Sequence, residues 1–395
     1  MTSAALPITL PALFVRFLRF GCLAFGGPVA QIAMLRQALV EEGRWVEPKR
    51  FNRLLAVMQA LPGPEAHELC VHLGMIRRGR IGGLLAGLGF LLPGFVLMMF
   101  LAAAYTAFIA GRSDLAAALL GIQIAVLAVI ARAIPKIGRH ILTSRALYGV
   151  AALALAATLA GVPFWVPLIA TGLFYAVIRT DYWAVVAVAA CVVAAESLTG
   201  SVAPPLALAP VVPVAGGEAT LAALFLAGLK GGLLTFGGAY TAIPYVRADT
   251  VGRGWLSDGQ FLDGVAFANV IPAPLVIFAT FAGYVAGGPS GAVAITLGMF
   301  LPAFAFSLIF YERLEALVDD PRLHRLLDGV AAAAVGIIAA TLVQLALALW
   351  PRVDGNPLPA FAILAAALAA AFAIKRPWAA PAMIAAAGVA GWALL

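Results

Sequence analysis

Apolar residues dominate the chain in long runs, and the polar positions fall in short clusters between them. The run from residue 10 to 40 is interrupted once, by Phe25-Gly26-Gly27-Pro28. A second run, from 221 to 246, is interrupted at the same place by Phe236-Gly237-Gly238-Ala239, about 211 residues later. Paired glycines weaken a helix, and Pro28 removes a backbone donor. In lipid, such a break survives only where protein or a water-filled cavity covers it. Residues 51–60 and 65–76 read as two short helices around Leu61-Pro62-Gly63-Pro64, each under the roughly 20 residues a span needs. Apolar runs then follow at 81–110, 115–133, 146–161, 164–178 and 182–198. Residues 199–219, rich in proline and glycine, read as a linker.

The second half repeats the first. Phe14, Leu18, Gly21, Phe25, Gly26, Gly27 and Arg36 match Phe225, Leu229, Gly232, Phe236, Gly237, Gly238 and Arg247. Pro62 and Pro64 match Pro272 and Pro274 after a one-residue shift, and Gly74, Gly79, Gly89 and Pro93 match Gly283, Gly288, Gly298 and Pro302 after one more. Spans at 289–311, 326–349, 359–374 and 377–395 complete the chain. The expectation is an all-α polytopic membrane protein of two repeats, 1–198 and 220–395, with about 9–10 full spans plus re-entrant hairpins.

Composition agrees. Of 395 residues, 64% are hydrophobic and 11% charged, with a mean hydropathy of +1.03; a soluble domain is about half apolar and a quarter charged. The net charge of +7 does not argue for nucleic acid, because lysine and arginine in short loops set membrane orientation. If the broken pairs are hairpins, the loops at 41–53, 77–80, 132–145, 179, 313–325 and 375–376 share one side and hold seventeen lysines and arginines. Arg112, Arg247, Arg253 and Arg352 lie on the other. The rich side is then cytoplasmic, which makes the cytoplasmic membrane the expected location. The two repeats are upside down relative to each other, as in many secondary transporters.

Cys22, Cys70 and Cys191 are far apart and read as core residues, without metal-ligand spacing. No cleavable signal peptide is evident in residues 1–13. The chain shows no H-E-x-x-H, aspartate pair or P-loop, so no cofactor or metal is expected. Gly288-Pro289-Ser290-Gly291 fits a serine intramembrane protease pattern, but His324, the second-half histidine, lies in a charged loop.

Four segments together resemble the chromate ion transporter family, long two-domain subgroup. They are Phe25-Gly26-Gly27-Pro28, Leu61-Pro62-Gly63-Pro64-Glu65-Ala66, the run from Gly87 to Gly94 reading GLGFLLPG, and Phe236-Gly237-Gly238-Ala239-Tyr240. The resemblance covers both repeats and implies efflux of chromate, with sulfate as the close analogue, driven by an ion or proton gradient. The chain departs from the family in one place: where a P-G-P break preceded by polar residues is usual, it reads Asn269-Val270-Ile271-Pro272-Ala273-Pro274.

A chromate-like dianion needs hydrogen-bond donors and positive potential, which half-helix N-termini supply. Candidate binding residues around the first break are Arg19, Phe25, Gly26, Gly27, Pro28 and Gln31. Around the second they are Lys230, Thr235, Phe236, Gly237, Gly238, Tyr240 and Thr241. Pro62, Gly63, Pro64, Asn269, Pro272 and Pro274 join them from the other breaks. The plainer reading makes the glycines packing devices and has Arg19 and Lys230 reach up to an interface. Glu65, His67, Glu68 and His72 are candidates for proton coupling, since their second-half counterparts, Leu275, Ile277, Phe278 and Ala282, are apolar. The alternative places them on a solvated hairpin. A channel for another inorganic anion remains open as a function. The glycines at 79–89 permit a close helix contact within one protomer or between two, so a homodimer is one of the arrangements they allow.

Overall fold

The first apolar stretch folds into two helices. α1 is Leu10–Cys22 and α2 is Gly27–Arg36, prolonged by a wider π-helical turn over Gln37–Glu42. Thr9 caps α1 by accepting from the Ala12 amide. Between the helices Gly26 and Gly27 take φ of 85° and 76°, a region that side chains rarely enter. There the chain doubles back. Arg16, at the middle of α1, donates to the Ala38 carbonyl beyond the end of α2, and its guanidinium lies 4.9 Å from the centre of the Trp45 ring. The pair is a re-entrant hairpin.

α3, Pro48–Ala60, leads through the break at residues 61–64 into α4, Glu65–Ala104. α4 is itself folded in two, at Arg78 (φ −143°, ψ 28°) and Gly79 (φ 62°, ψ −162°). His67 Nε2 lies 3.2 Å from the Gly87 carbonyl oxygen. Twenty residues of straight helix would hold them about 30 Å apart, so the two arms run antiparallel. They touch through backbone: a Cβ on Gly74 would stand 2.5 Å from the Gly82 carbonyl oxygen. α5 is Ala116–Ile141, α6 Arg145–Leu159 and α7 Trp165–Val177.

The second half repeats these turns in detail. α8 is Leu221–Leu233, α9 Ala242–Thr250 and α10 Asp258–Val270, the last opened by a capping box of Ser257 and Gln260. α11, Phe278–Ile309, is folded at Gly287 (φ −145°, ψ 24°) and Gly288 (φ 64°, ψ −161°), the angles of the α4 fold. A Cβ on Gly283 would stand 2.6 Å from the Gly291 oxygen, as Gly74 meets Gly82. Gly21 sits against Pro93 and Gly232 against Pro302. α12 is Pro321–Val353, α13 Pro357–Ala373 and α14 Ala379–Leu394.

The two halves exchange partners. α5 packs on α13 and α14, while its counterpart α12 packs on α6 and α7; α4 packs on α11 across the middle. At one face Arg16, Trp45 and Arg77 cluster, with the Arg77 guanidinium 5.1 Å from the Trp45 ring centre. In the second half Trp255 Nε1 donates to the Gly217 carbonyl, and Gly287 lies against Leu224. These residues stand at the level where α5 begins, since Gly259 abuts Gln123 and Arg352. The hairpins of the two halves therefore open on opposite faces, as an inverted repeat requires.

The computed structural model describes residues 8–177, 186–190, 217–236, 238–309, 321–353, 357–374, 376 and 378–395. Gly237, most of the span expected at 182–198 and the linker up to 216 lie outside the described residues. Four described segments are long and apolar enough to cross a membrane: Glu65–Ile109, Ser113–Ile141, Leu275–Ile309 and His324–Val353. Two of these, the first and third, contain the folded α4 and α11. Ile81, Leu84, Leu88, Leu92, Val96 and Phe100 form an exposed stripe along the second arm of α4, an arrangement suited to lipid and not to water. The chain is thus a multi-pass integral membrane protein. The glycines of this arm are filled from within the chain: Gly83 by Leu308, Gly87 by Phe304, Gly89 by Phe14.

Cysteines placed at Lys49 and Arg78 should both react with an impermeant maleimide from one side of the membrane, and a cysteine at Ser290 from the other. Labelling of positions 49 and 78 from opposite sides would break the hairpin arrangement.

Candidate functional site

The breaks of the two halves meet. The Gly63 amide donates to the Thr235 carbonyl at 2.8 Å. Gln31 Nε2 donates to the Ala24 carbonyl at 2.8 Å and to the Ala273 carbonyl at 3.0 Å. Ala24 and Thr235 are equivalent positions, as are Gly63 and Ala273. Each P-x-P break is therefore tied to the F-G-G loop of the opposite half, once through a backbone amide and once through the Gln31 side chain. The hydroxyl of Tyr240 donates to Asn269 Oδ1 at 3.1 Å and draws the two second-half breaks together.

The same crossing explains the departure at Ala273. Gly63 has φ 145°, and a Cβ there would overlap the Glu68 carboxylate. Ala273 does not have a positive φ. Its Cβ packs onto Gly94, where a second Cβ would collide with it. In the other half the pairing is reversed, with Gly63 facing the Cβ of Ala303, the counterpart of Gly94.

A cavity of about 360 Å³ opens beside this crossing. Pro28 and Val29, in the first turn of α2, line it together with Phe236, Gly238, Ala239 and Tyr240 from the second F-G-G loop. Glu65, Lys136, His140, His324 and Asp328 also line it. An adjoining space of about 280 Å³ shares Pro28, Val29, Lys136 and Tyr240 and adds Gly26, Gly27, Asn269, Arg132 and Arg376. Gly26 caps α2 without a side chain, so first-turn amides and the positive end of the helix face this space. Arg132 Nη1 donates to the Ile374 carbonyl at 3.3 Å, which sets the mouth among the loops of the basic face.

Other candidates lie elsewhere. Thr235 and Thr241 spend their hydroxyls on the Gly231 and Gly238 carbonyls. Lys230 is paired with Asp249 at 2.8 Å and lies 4.7 Å from the centre of the Phe164 ring. Arg19 is exposed on α1. Neither cation lines the two spaces, nor do Phe25, Gln31, Pro62, Gly63, Pro64, Pro272 and Pro274, several of which hold the crossing. Of the four coupling candidates only Glu65 reaches the cavity. His67, Glu68 and His72 are fully buried, which removes the solvated-hairpin alternative. His67 is held between the Phe300 and Phe304 rings, at 5.0 and 4.8 Å. The Glu68 carboxylate has no hydrogen-bond partner among the described residues. Ser290 donates to the Gly287 carbonyl on an exposed turn, with no histidine bonded to it among the described residues.

Sequence reasoning missed Lys136, Arg132 and Arg376 as cavity residues, because it assigned them to orienting loops. The signal was the four-residue spacing of Arg132 and Lys136, which continues one face of α5 to Ile141, beyond the span end expected at 133.

A family model described as chromate transporter matches residues 11–212 and 222–392. A chromate transport protein of Pseudomonas aeruginosa is 55% identical over 388 residues, covering 98% of this chain and 92% of that protein. A probable chromate transport protein of Synechococcus elongatus is 30% identical over 381 residues, 95% and 93% of the two chains. A chromate transport protein of Cupriavidus metallidurans is 29% identical over 348 residues, 86% and 83%. No solved structure matches the chain.

Gly63→Ala should lower stability by about 2 kcal/mol, the size of cost that a strained backbone position carries, read as a lower thermal midpoint of the detergent-solubilised protein. Ala273→Gly should cost less, about 1 kcal/mol. Equal midpoints for Gly63→Ala and the wild type would contradict the crossing described above.

Proposed function

The chain belongs to the chromate transporter family, and we propose that it exports chromate, or a divalent oxyanion of the same shape such as sulfate, across the cytoplasmic membrane. It is a membrane transporter and not an enzyme. The observation that carries the substrate reading is the convergence of both F-G-G loops on one cavity whose mouth lies among cationic side chains. A tetrahedral dianion carries charge on all its oxygens and asks for donors without a covalent partner. First-turn amides of α2, the backbone around Gly238 and Tyr240, and the Lys136 ammonium supply them.

Lys136 is the cation we assign to the substrate. Its ammonium makes no ion pair among the described residues, while Arg132 is engaged by Ile374 and Lys230 by Asp249. The basic face is cytoplasmic by the positive-inside rule, so the cavity would load from inside. Export then follows from rocking of the two repeats, which we divide at the linker 199–219, around the crossing. Glu65, on the cavity wall, is our candidate for linking a proton to the substrate's movement. A homodimer belongs to the same proposal, formed on a face other than the internally filled glycines of α4.

Inside-out proteoliposomes should accumulate radiolabelled chromate saturably, competed by sulfate, and faster with an imposed pH gradient. Lys136→Ala should raise the KM for chromate about tenfold, the loss of one charge-assisted contact, with kcat changed less. Gly26→Leu, which puts a side chain at φ 85° on the cavity wall, should abolish uptake in protein that still purifies as a folded species. A linear, non-saturating flux would indicate a channel and overturn the carrier mechanism.

A further inference from the structure

Beyond the floor of the cavity three buried polar side chains, Tyr105, Gln123 and Asp263, meet the exposed Arg352. Asp263, on α10, is 2% exposed. The hydroxyl of Tyr105 donates to its Oδ2 at 2.9 Å, and Gln123 Nε2 donates to its Oδ1 at 2.8 Å. Arg352 Nη1 donates to Gln123 Oε1. Tyr105 follows α4 and Gln123 lies on α5, both in the first half; Asp263 and Arg352 belong to the second. Along their own helices Gln123 and Asp263 are each six residues from a cavity-lining residue, Val129 and Asn269, about 9 Å of helix. Both steps run away from the basic mouth. The cluster therefore closes the path between the cavity and the outer face.

Among the described residues Tyr105, Gln123 and Arg352 are the polar groups that face this carboxylate. α11 and α14, which also pack on α10, carry no acidic or basic side chain. Asp258, on α10 itself, is held by Arg247 at 2.7 Å, and Arg247 also donates to Gln344. An acid in the membrane interior marks an ion or proton path by default. The hydrogen bonding here is arranged for two charge states. Arg352 bonds Gln123 and not Asp263, so a protonated Asp263 leaves no bare cation against it. Tyr105 can turn from donor to acceptor, and Gln123 can present its oxygen to an acid proton only by letting go of Arg352. A proton on Oδ2 reverses the Tyr105 bond and removes its charge assistance, and a proton on Oδ1 breaks the Gln123–Arg352 bond; either way the tie between the halves weakens.

We propose that Asp263 is the proton-binding group of the outer gate, a role that rests on the transport reading given above. One O–H bond forms at Asp263 with a proton from outer water, the gate opens, and the same bond breaks as the proton passes to the cavity and the inner solution. No electrons move. Inward proton flow is thereby exchanged for outward oxyanion flow.

Two assays on the full-length protein in proteoliposomes separate this role from a structural one. The first is uptake of radiolabelled chromate driven by a pH gradient. The second is counterflow, the exchange of labelled for unlabelled chromate without a gradient. Asp263→Asn should cut gradient-driven uptake at least tenfold, keep counterflow within about twofold, and remove its pH dependence. Asp263→Glu should restore driven uptake with a displaced pH profile, and Tyr105→Phe should displace that profile while sparing counterflow. Asp263→Asn with the driven rate and pH profile of the wild type would overturn the proposal. So would loss of both activities in folded Asp263→Asn together with an unmoved profile in Asp263→Glu. A wild type that moved neither chromate nor sulfate in either assay would instead overturn the transport reading itself, and this role with it.

Discussion

A backbone amide or carbonyl with no partner in hydrocarbon costs several kcal/mol, and this chain breaks its helices at membrane depth in both halves. Each break frees polar groups that its own helices no longer pair. The structure answers by making the breaks satisfy one another: the Gly63 amide meets the Thr235 carbonyl, and Gln31 bridges the Ala24 and Ala273 carbonyls. Neither half closes this network alone. The requirement to pair broken backbone thus ties the repeats together at the point where their cavity opens.

Close backbone approach makes that meeting geometrically available. Gly74 on Gly82 and Gly283 on Gly291 bring the arms of each folded helix to within a carbonyl of each other, where the lack of a side chain lets dispersion and weak polar contacts act at short range. Gly89 against Phe14 and Gly298 against Phe225 then seat each re-entrant hairpin on its folded helix. The hairpins are held at their bases, and their tips are left to form the cavity wall. A transporter that rocks its halves needs this division between a firmly packed frame and a thin polar contact at the centre.

Symmetry of frame coexists with asymmetry of charge. The inner mouth gathers Lys136, Arg132 and Arg376, with Glu65 on the wall. The outer end gathers Asp263, Tyr105, Gln123 and Arg352 in a closed cluster. In the proposed cycle a dianion entering from the basic side would meet positive potential first and the closed cluster beyond it. That polarity gives a duplicated fold a direction, since a charge-symmetric frame would treat its two faces alike.

The sequence by itself determined the membrane class, the repeat and the positions of all four breaks. Those follow from local chemistry: paired glycines and P-x-P runs break a helix, whereas single prolines such as Pro93 and Pro135 are carried inside one. Which polar residues share a site was decided only by tertiary structure. Thr235, Thr241 and Lys230 look like ligands in the sequence, but Gly231, Gly238 and Asp249 occupy them. Lys136 looks like a loop charge, but α5 continues past Ala133 and carries it to the cavity. Asp263 gives no sign of its partners, because Tyr105 and Gln123 lie 158 and 140 residues away. Contacts across an inverted repeat join positions with no fixed sequence spacing, so only the packing of one half on the other brings them together.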